Sequence, residues 1–119
     1  MSRDLLFVSD FDGRWTDVSP SVRALLGYTP EQFLALALYK VVHAEDLEKT
    51  LGCIHQAAGG FPTSVEVRCL HKNGSTIWMQ WMFNTVVENE FALTIARDIS
   101  KQKMAELKLQ ELTNKKAAA

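Results

Sequence analysis

Residues 65–87 are VEVRCLHKNGSTIWMQWMFNTVV, and this stretch decides the fold class. Apolar and polar residues alternate over 65–70, which is typical of a strand with one buried face. The Asn73-Gly74 pair then predicts a tight hairpin turn of type I′, because both residues tolerate positive φ angles. Residues 75–87 are rich in aromatic and β-branched side chains and predict a second, longer strand. The stretch therefore predicts an antiparallel hairpin.

Further strands are predicted on both sides of this hairpin. Residues 88–90 predict a turn, and 91–99 predict a strand that completes a meander. Near the N-terminus, 5–8 and 15–18 predict two short strands, joined by an Asp/Gly-containing turn at 10–13. Strands that pair antiparallel, with helices gathered on one face, predict an α+β domain.

Two short helices are predicted directly after the second strand. Ser19 followed by Pro20 is typical of a helix start, and Gly27 is typical of a helix end. Residues 29–32 have the capping-box arrangement that begins a helix. Residues 33–38 are apolar on nearly every side, so this helix is expected to be buried between other elements.

A third, longer helix is predicted to begin near His43 and to end at Gly59-Gly60. Glu45 and Asp46 fall in its first turn, where the helix dipole favours negative charge. Its apolar residues recur at helical spacing and predict one buried stripe. The residues of this stripe are Leu47, Leu51, Ile54 and Ala58.

Length and composition limit the classes of protein. The 119 residues suit one domain, and a formal net charge of −1 predicts neither a nucleic-acid partner nor direct contact with an anionic membrane. Cys53 and Cys69 do not form a disulfide framework, which predicts a reducing, cytoplasmic location. The longest apolar stretch, 33–39, is too short to span a membrane, and no secretory leader opens the chain.

Four motifs, in order and at characteristic spacing, resemble a known family. They are SPS with LLGYTPE over 19–31, VHAEDL over 42–47, RCLHKNGS with Trp78 over 68–78, and RDIS over 97–100. Together they resemble a PAS domain of the sensory-box type found in bacterial signalling proteins. The family usually has His-Pro-Glu-Asp, Lys-Asp-Gly and Asp-Ile-Thr at the last three motifs. This chain departs once in each, with Ala44 in place of proline, Asn73 in place of aspartate and Ser100 in place of threonine.

The resemblance implies a five-stranded antiparallel sheet, with short helices on one face, a first strand beside the last, and a C-terminal exit helix. We expect residues 1–99 to form the PAS sensory domain and residues 100–114 to form a signalling helix. Residues 115–119 are interpreted as an appended tail outside the fold.

One face of the strand after the hairpin turn is expected to line a ligand pocket. By the resemblance, the alternate residues from Ile77 to Phe83 face the helices, and small residues of the last strand leave room opposite them. The candidates are Ile54, Ile77, Met79, Trp81, Phe83, Ala92, Thr94 and Ala96. The alternative is a closely packed core that these large side chains fill.

The other face of the sheet is too apolar for a surface in water. Its residues are Trp78, Met82, Phe91, Leu93 and Ile95. A sheet that is apolar on both faces needs a cover on each. We expect a homodimer through this outer face, and the alternative is that the exit helix folds back over it.

Cofactors and catalytic groups have little support in the sequence. His55 lies in the region where haem-holding relatives have a histidine, but the match is not clean. Flavin-adduct relatives carry a cysteine where this chain has 36–41, which contains none, so only non-covalent flavin stays open. The three histidines are too scattered for a metal site. No phosphate-binding glycine loop or activated nucleophile is found, so no enzyme activity is predicted.

The exit helix is predicted to start at Ser100, as its cap, and to run to about Leu112. Asp98 and Ser100 are the candidate signal-transfer residues, and the resemblance implies that Asp98 pairs with a basic group. Ala105, Leu109 and Leu112 have the spacing of a coiled-coil seam. A helix docked on its own domain is the alternative.

The sequence therefore predicts a sensory and dimerisation module. It would relay a conformational change to a covalently attached effector, of the histidine kinase or diguanylate cyclase/phosphodiesterase type. No cofactor is obligatory, and a small-molecule ligand is allowed. The alternatives are a haem- or flavin-binding redox or gas sensor, and a structural dimerisation domain with a filled core.

Overall fold

The computed structural model describes residues 4–10, 14–86 and 91–118. Its strands are β1 (Leu5–Asp10), β2 (Trp15–Val18), β3 (Thr63–Leu70), β4 (Thr76–Val86) and β5 (Phe91–Asp98). Its helices are α1 (Val22–Leu26), α2 (Pro30–Leu34), α3 (Leu38–Val41), α4 (Leu47–Ala58) and α5 (Ser100–Ala118), with a 3-10 turn at Ala44–Asp46. Among the described residues, no helix is long and apolar enough to cross a membrane.

The five strands form one antiparallel sheet in the order β2-β1-β5-β4-β3. This confirms the predicted α+β class and the predicted place of the first strand beside the last. β5 is the central strand, and its neighbours are β1 and β4. Residues 11–13 and 88–90 of the two predicted turns lie outside the described residues.

The second predicted helix is two helices, α2 and α3, separated at residues 35–37. Ala37 is extended, with φ −78° and ψ 156°. Alanine is the best helix former, so nothing local in the sequence predicts this break. Of residues 33–38 only Phe33 is fully buried, so the expectation that the whole segment is buried is wrong.

Two of the predicted helix boundaries are present, and a third is not. Gly27 ends α1 with a left-handed φ of 83°. The capping box at the start of α2 is present, because Gln32 N donates to Thr29 Oγ1 at 3.2 Å and Thr29 N donates to Gln32 Oε1 at 3.0 Å. The cap predicted at Ser19 is wrong, because its hydroxyl accepts a bond from Leu6 N of β1 at 2.9 Å.

The β3–β4 hairpin closes through a wider turn than the predicted type I′. His71 N donates to Ser75 O at 2.8 Å, and Gly74 N donates to His71 O at 2.9 Å. Gly74 has a φ of 91°. This arrangement fits a three-residue loop that ends on a left-handed glycine. The Asn73 side chain accepts from Ser75 N at 2.9 Å, so its amide supports the turn.

The buried face of α4 differs from the predicted apolar stripe. Leu51 is 50% exposed, whereas Thr50 is fully buried and donates its hydroxyl to Asp46 O at 2.7 Å. Asp46, at the start of α4, is buried and accepts two hydrogen bonds from the Arg68 side chain at 2.8 and 3.0 Å. Arg68 N adds a third at 2.8 Å. This ion pair ties the start of α4 to the edge strand β3.

We predict that Asp46→Asn lowers the free energy of unfolding at pH 7 by about 2–3 kcal/mol. The Arg68 hydrogen bonds lower the pKa of Asp46 well below its ordinary value. The stability from this carboxylate is therefore present above about pH 4 and lost as the pH falls through the lowered pKa. Urea unfolding at pH 7 and pH 2 should show a clearly smaller difference in acid. The exposed acid variant Glu48→Gln is the control, and an equal loss at both pH values would contradict the prediction.

We predict that Gly27→Ala and Gly52→Ala change stability in opposite directions. A Cβ on Gly27 would lie 2.7 Å from His71 Cε1, on a backbone with positive φ, so we expect a loss of about 1–2 kcal/mol. Gly52 lies within α4 with no atom within 4 Å of an added Cβ, so alanine should add about 0.5–1 kcal/mol. Urea unfolding of both variants tests this, and a loss at Gly52 equal to that at Gly27 would refute it.

Candidate functional site

The predicted pocket residues lie in or against the core on the inner face of the sheet. Ile77 and Ile54 are partly buried and pack against the core. The remaining candidates are at most 5% exposed, namely Met79, Trp81, Phe83, Ala92, Thr94 and Ala96. The Thr94 hydroxyl is buried without a hydrogen-bond partner among the described residues, although such groups normally have one. Ligand binding by these residues stays a prediction.

Aromatic rings fill the space between the inner face and the helices. Trp15 stacks on Phe33 with ring centroids 4.3 Å apart. Phe7 packs edge-on against Trp81, with centroids 5.1 Å apart, and lies 5.9 Å from Phe33. Such contacts leave little free volume in a protein interior. The geometry therefore favours the filled-core alternative at this face.

A cleft of about 860 Å³ opens beside this core, between residues 34–38 and α4. Its wall is mostly apolar, with two basic side chains, Arg14 and His55. The lining residues are Arg14, Trp15, Leu34, Ala35, Leu36, Ala37, Leu38, Leu51, Ile54 and His55. Ile54 alone among them was predicted from the sequence. Residues 34–38 were missed because the break between α2 and α3, which lines the cleft, has no glycine or proline to mark it.

The three histidines have separate surroundings. His55 is exposed and lines the cleft. His43 Nδ1 accepts a hydrogen bond from Glu45 N at 3.1 Å, as expected of a residue at a helix start. His71 Nδ1 accepts one from the backbone of the hairpin turn. Across residues 4–10, 14–86 and 91–118, no group of three metal-ligating side chains comes together.

Neither cysteine lines the cleft. Cys53 is half-buried on α4, with its sulfur 4.0 Å from the Ser64 carbonyl. Cys69 is buried on β3, and burial raises the pKa of its thiol well above the usual range. The thiolate is the reactive form of cysteine, so Cys69 is chemically inert near neutral pH.

The predicted dimer residues share the outer face of the sheet, and each is partly exposed. Ile95 of β5 is the cross-strand partner of both Leu6 and Met82, so an apolar row crosses three strands. Leu6, which the sequence analysis did not include, is 43% exposed. The predicted members are Trp78, Met82, Phe91, Leu93 and Ile95.

The junction from β5 to α5 is held by Asp98. Its Oδ1 accepts a hydrogen bond from Ser100 N at 2.8 Å, at the first residue of α5. Ser100 is therefore the first residue of the helix, and the prediction that it is the cap is wrong. A helix leaves its first N–H groups unpaired, and Asp98 accepts a hydrogen bond from one of them. The basic group expected beside Asp98 is not seen among the described residues; the bonded partner is a backbone amide.

α5 leaves the domain after its first turn. Lys103 pairs with Glu66 of β3, and Ile99 N donates to Trp78 O at 3.0 Å. Farther along, Leu109 and Leu112 are 66% and 57% exposed. The helix runs to Ala118, past its predicted end, and most of its length is undocked. The geometry therefore disfavours both a helix docked on its own domain and one that covers the outer face.

A family model described as PAS fold matches residues 16–93, well over half of the chain. The blue-light-activated histidine kinase of Brucella ovis is 30% identical over 98 residues, which cover 81% of this chain. The matched part is 20% of that kinase, so the chain spans about a fifth of its length.

Solved structures resemble the fold closely. A domain of a sensory box sensor histidine kinase/response regulator from Geobacter sulfurreducens has a TM-score of 0.71 and 27% identity, covering 81% of this chain and 83% of that one. The N-terminal domain of a diguanylate cyclase with PAS/PAC sensor from Marinobacter aquaeolei has a TM-score of 0.72 over 84% of this chain and 98% of that one. Its 21% identity shows the fold alone. The match to the PAS fold model, the five-stranded sheet and the exit helix together show that the chain belongs to the PAS family, as a sensory module of signalling proteins.

Proposed function

We propose that this module receives a stimulus and passes a conformational change through α5 to an effector domain of the same polypeptide. One observation carries the proposal: the central strand β5 continues into α5 with only Ile99 between them. Because β5 pairs with both β1 and β4, a shift within the sheet must move the start of α5.

The effector is proposed to be a histidine kinase, or a diguanylate cyclase or phosphodiesterase. The names of the relatives support the first two types. Catalysis belongs to that effector in this proposal, and the module itself is not an enzyme. We place the module in the cytoplasm, where such effectors meet their substrates.

The stimulus is proposed to act at the cleft beside α4. Its mostly apolar wall, with Arg14 and His55, suits a small molecule. The Brucella relative is named for blue-light activation, but a cysteinyl adduct does not fit here because neither cysteine lines the cleft. Of the described histidines, His55 is the one placed to meet a haem. Soret or flavin bands in the visible spectrum of the purified protein would favour a cofactor sensor instead.

We predict that Asp98→Ala leaves the domain folded but uncouples the effector from the stimulus. The substitution removes the acceptor for Ser100 N, so the first turn of α5 loses about 1 kcal/mol of local stability. The measurement is effector output in the protein that carries its own downstream domain, with circular dichroism to confirm folding. Asp98→Asn keeps an acceptor oxygen and should respond normally. A normal response from Asp98→Ala would refute the proposed route.

We also propose that the module forms a homodimer through the outer face of the sheet. The row of Leu6, Ile95 and Met82 is partly exposed, and α5 does not cover it. Ala105, Leu109 and Leu112 are exposed on one side of α5 and would extend the contact as a coiled-coil seam.

We predict that Ile95→Glu converts the dimer to a monomer, because an unpaired carboxylate in an apolar interface costs several kcal/mol. Light scattering over a concentration series measures the change in mass. Ala24→Glu places the same charge on an exposed position of α1, on the helical side, and should remain dimeric. A monomeric parent protein at high concentration would rule out the dimer.

A further inference from the structure

Two cationic side chains lie over the ring of Trp78 on the outer face of the sheet. Arg68 is its cross-strand neighbour on β3, and the guanidinium carbon lies 5.4 Å from the ring centroid. Lys103 belongs to the first turn of α5, and its Nζ lies 4.8 Å from the same centroid. Both distances are within the roughly 6 Å over which an aromatic ring attracts a cation. Trp78 therefore contacts an outer strand and the exit helix at once.

Carboxylates hold each of these cations in place. Arg68 is bonded to Asp46 through Nε and Nη2, and its Nη2 also donates to Glu45 Oε2 at 3.0 Å. Lys103 pairs with Glu66, and that hydrogen bond raises the pKa of the lysine. The Arg68 and Lys103 side chains are only 25% and 19% exposed. These contacts fix where the two charges stand relative to the ring.

The contacts connect the two elements on which the proposed sensing depends. At one end Asp46 begins α4, the helix that forms one wall of the cleft. At the other end Lys103 lies in the first turn of α5. The path between them runs through Arg68 and Trp78 on the outer face, and it does not pass through the aromatic core.

We propose that Trp78 is a positioning residue that couples the start of α4 to the first turn of α5. A displacement of Asp46 moves Arg68, changes the contact of the cation with the ring, and so alters how firmly the ring holds Lys103. Two like charges repel each other, whereas the π-system of one ring attracts both, so an aliphatic residue cannot replace the ring. Such coupling is reciprocal by thermodynamic linkage. Its use in signalling rests on the proposed route through α5, but the coupling itself is a property of this chain.

Amide hydrogen exchange of the 119-residue chain tests the coupling in two segments, 50–53 of α4 and 103–107 of α5. Lys103→Met keeps the aliphatic stem and removes the charge. We expect exchange in 103–107 to rise roughly two- to fivefold, and exchange in 50–53 to rise by a smaller, measurable factor. Lys103→Arg keeps a cation and should restore both segments. Lys101→Met removes an exposed charge from the same turn and should leave 50–53 unchanged.

Trp78→Leu tests whether the ring carries the effect. In that background Lys103→Met should no longer change exchange in 50–53. The proposal is overturned if Lys103→Met affects α5 alone, or if the long-range effect persists without the ring. If Trp78→Leu does not fold, the Lys103 variants still decide, because they leave Trp78 in place. Coupled exchange together with normal effector output in Asp98→Ala would refute the signalling route and leave the coupling standing.

Discussion

The stacking of Trp15 on Phe33 is the interaction on which the arrangement depends, with Phe7 packed against both rings and Trp81 packed against Phe7. The four rings come from β2, α2, β1 and β4, so one cluster joins the sheet to its helical cover. Aromatic side chains bury large areas and pack at native density, which leaves the centre of the domain solid. The open space lies instead at the margin of the cluster, where α2 and α3 separate and Trp15 forms part of the wall.

Short-range chemistry in the sequence predicted the elements that it controls. Gly27 ends α1, and the Thr29 capping box begins α2, because each depends on residues at most four positions away. The buried face of α4 depends on a distant residue. Asp46 is buried there because Arg68, 22 positions later, brings it a guanidinium and a backbone N–H. No periodicity within α4 contains that information, so the apolar stripe was a poor guide.

In the candidate site, too, the sequence predicted what depends on nearby residues and missed what depends on distant ones. Alternation along β4 divided its side chains into two sets, because the strand period is a local property. The family resemblance assigned the set that contains Trp81 to the helical side, where Trp81 is buried. The volume between helices depends on how far apart they pack, and alternation says nothing about that. The cleft therefore escaped prediction except at Ile54. At the exit junction, the sequence identified Asp98 and Ser100, but which of them accepts the hydrogen bond follows from the backbone geometry.

The central place of β5 also governs how the chain can assemble. Leu5 pairs with Ala96, and Val86 with Phe91, so β5 joins one half-sheet made early in synthesis to another made late. Until the ribosome releases β5, the β1–β2 and β3–β4 hairpins share no strand and each presents an open edge. Such long-range pairing slows folding. The strand that joins the halves is also the strand that leads into α5, so a nascent chain cannot acquire its output helix before its sheet is able to close.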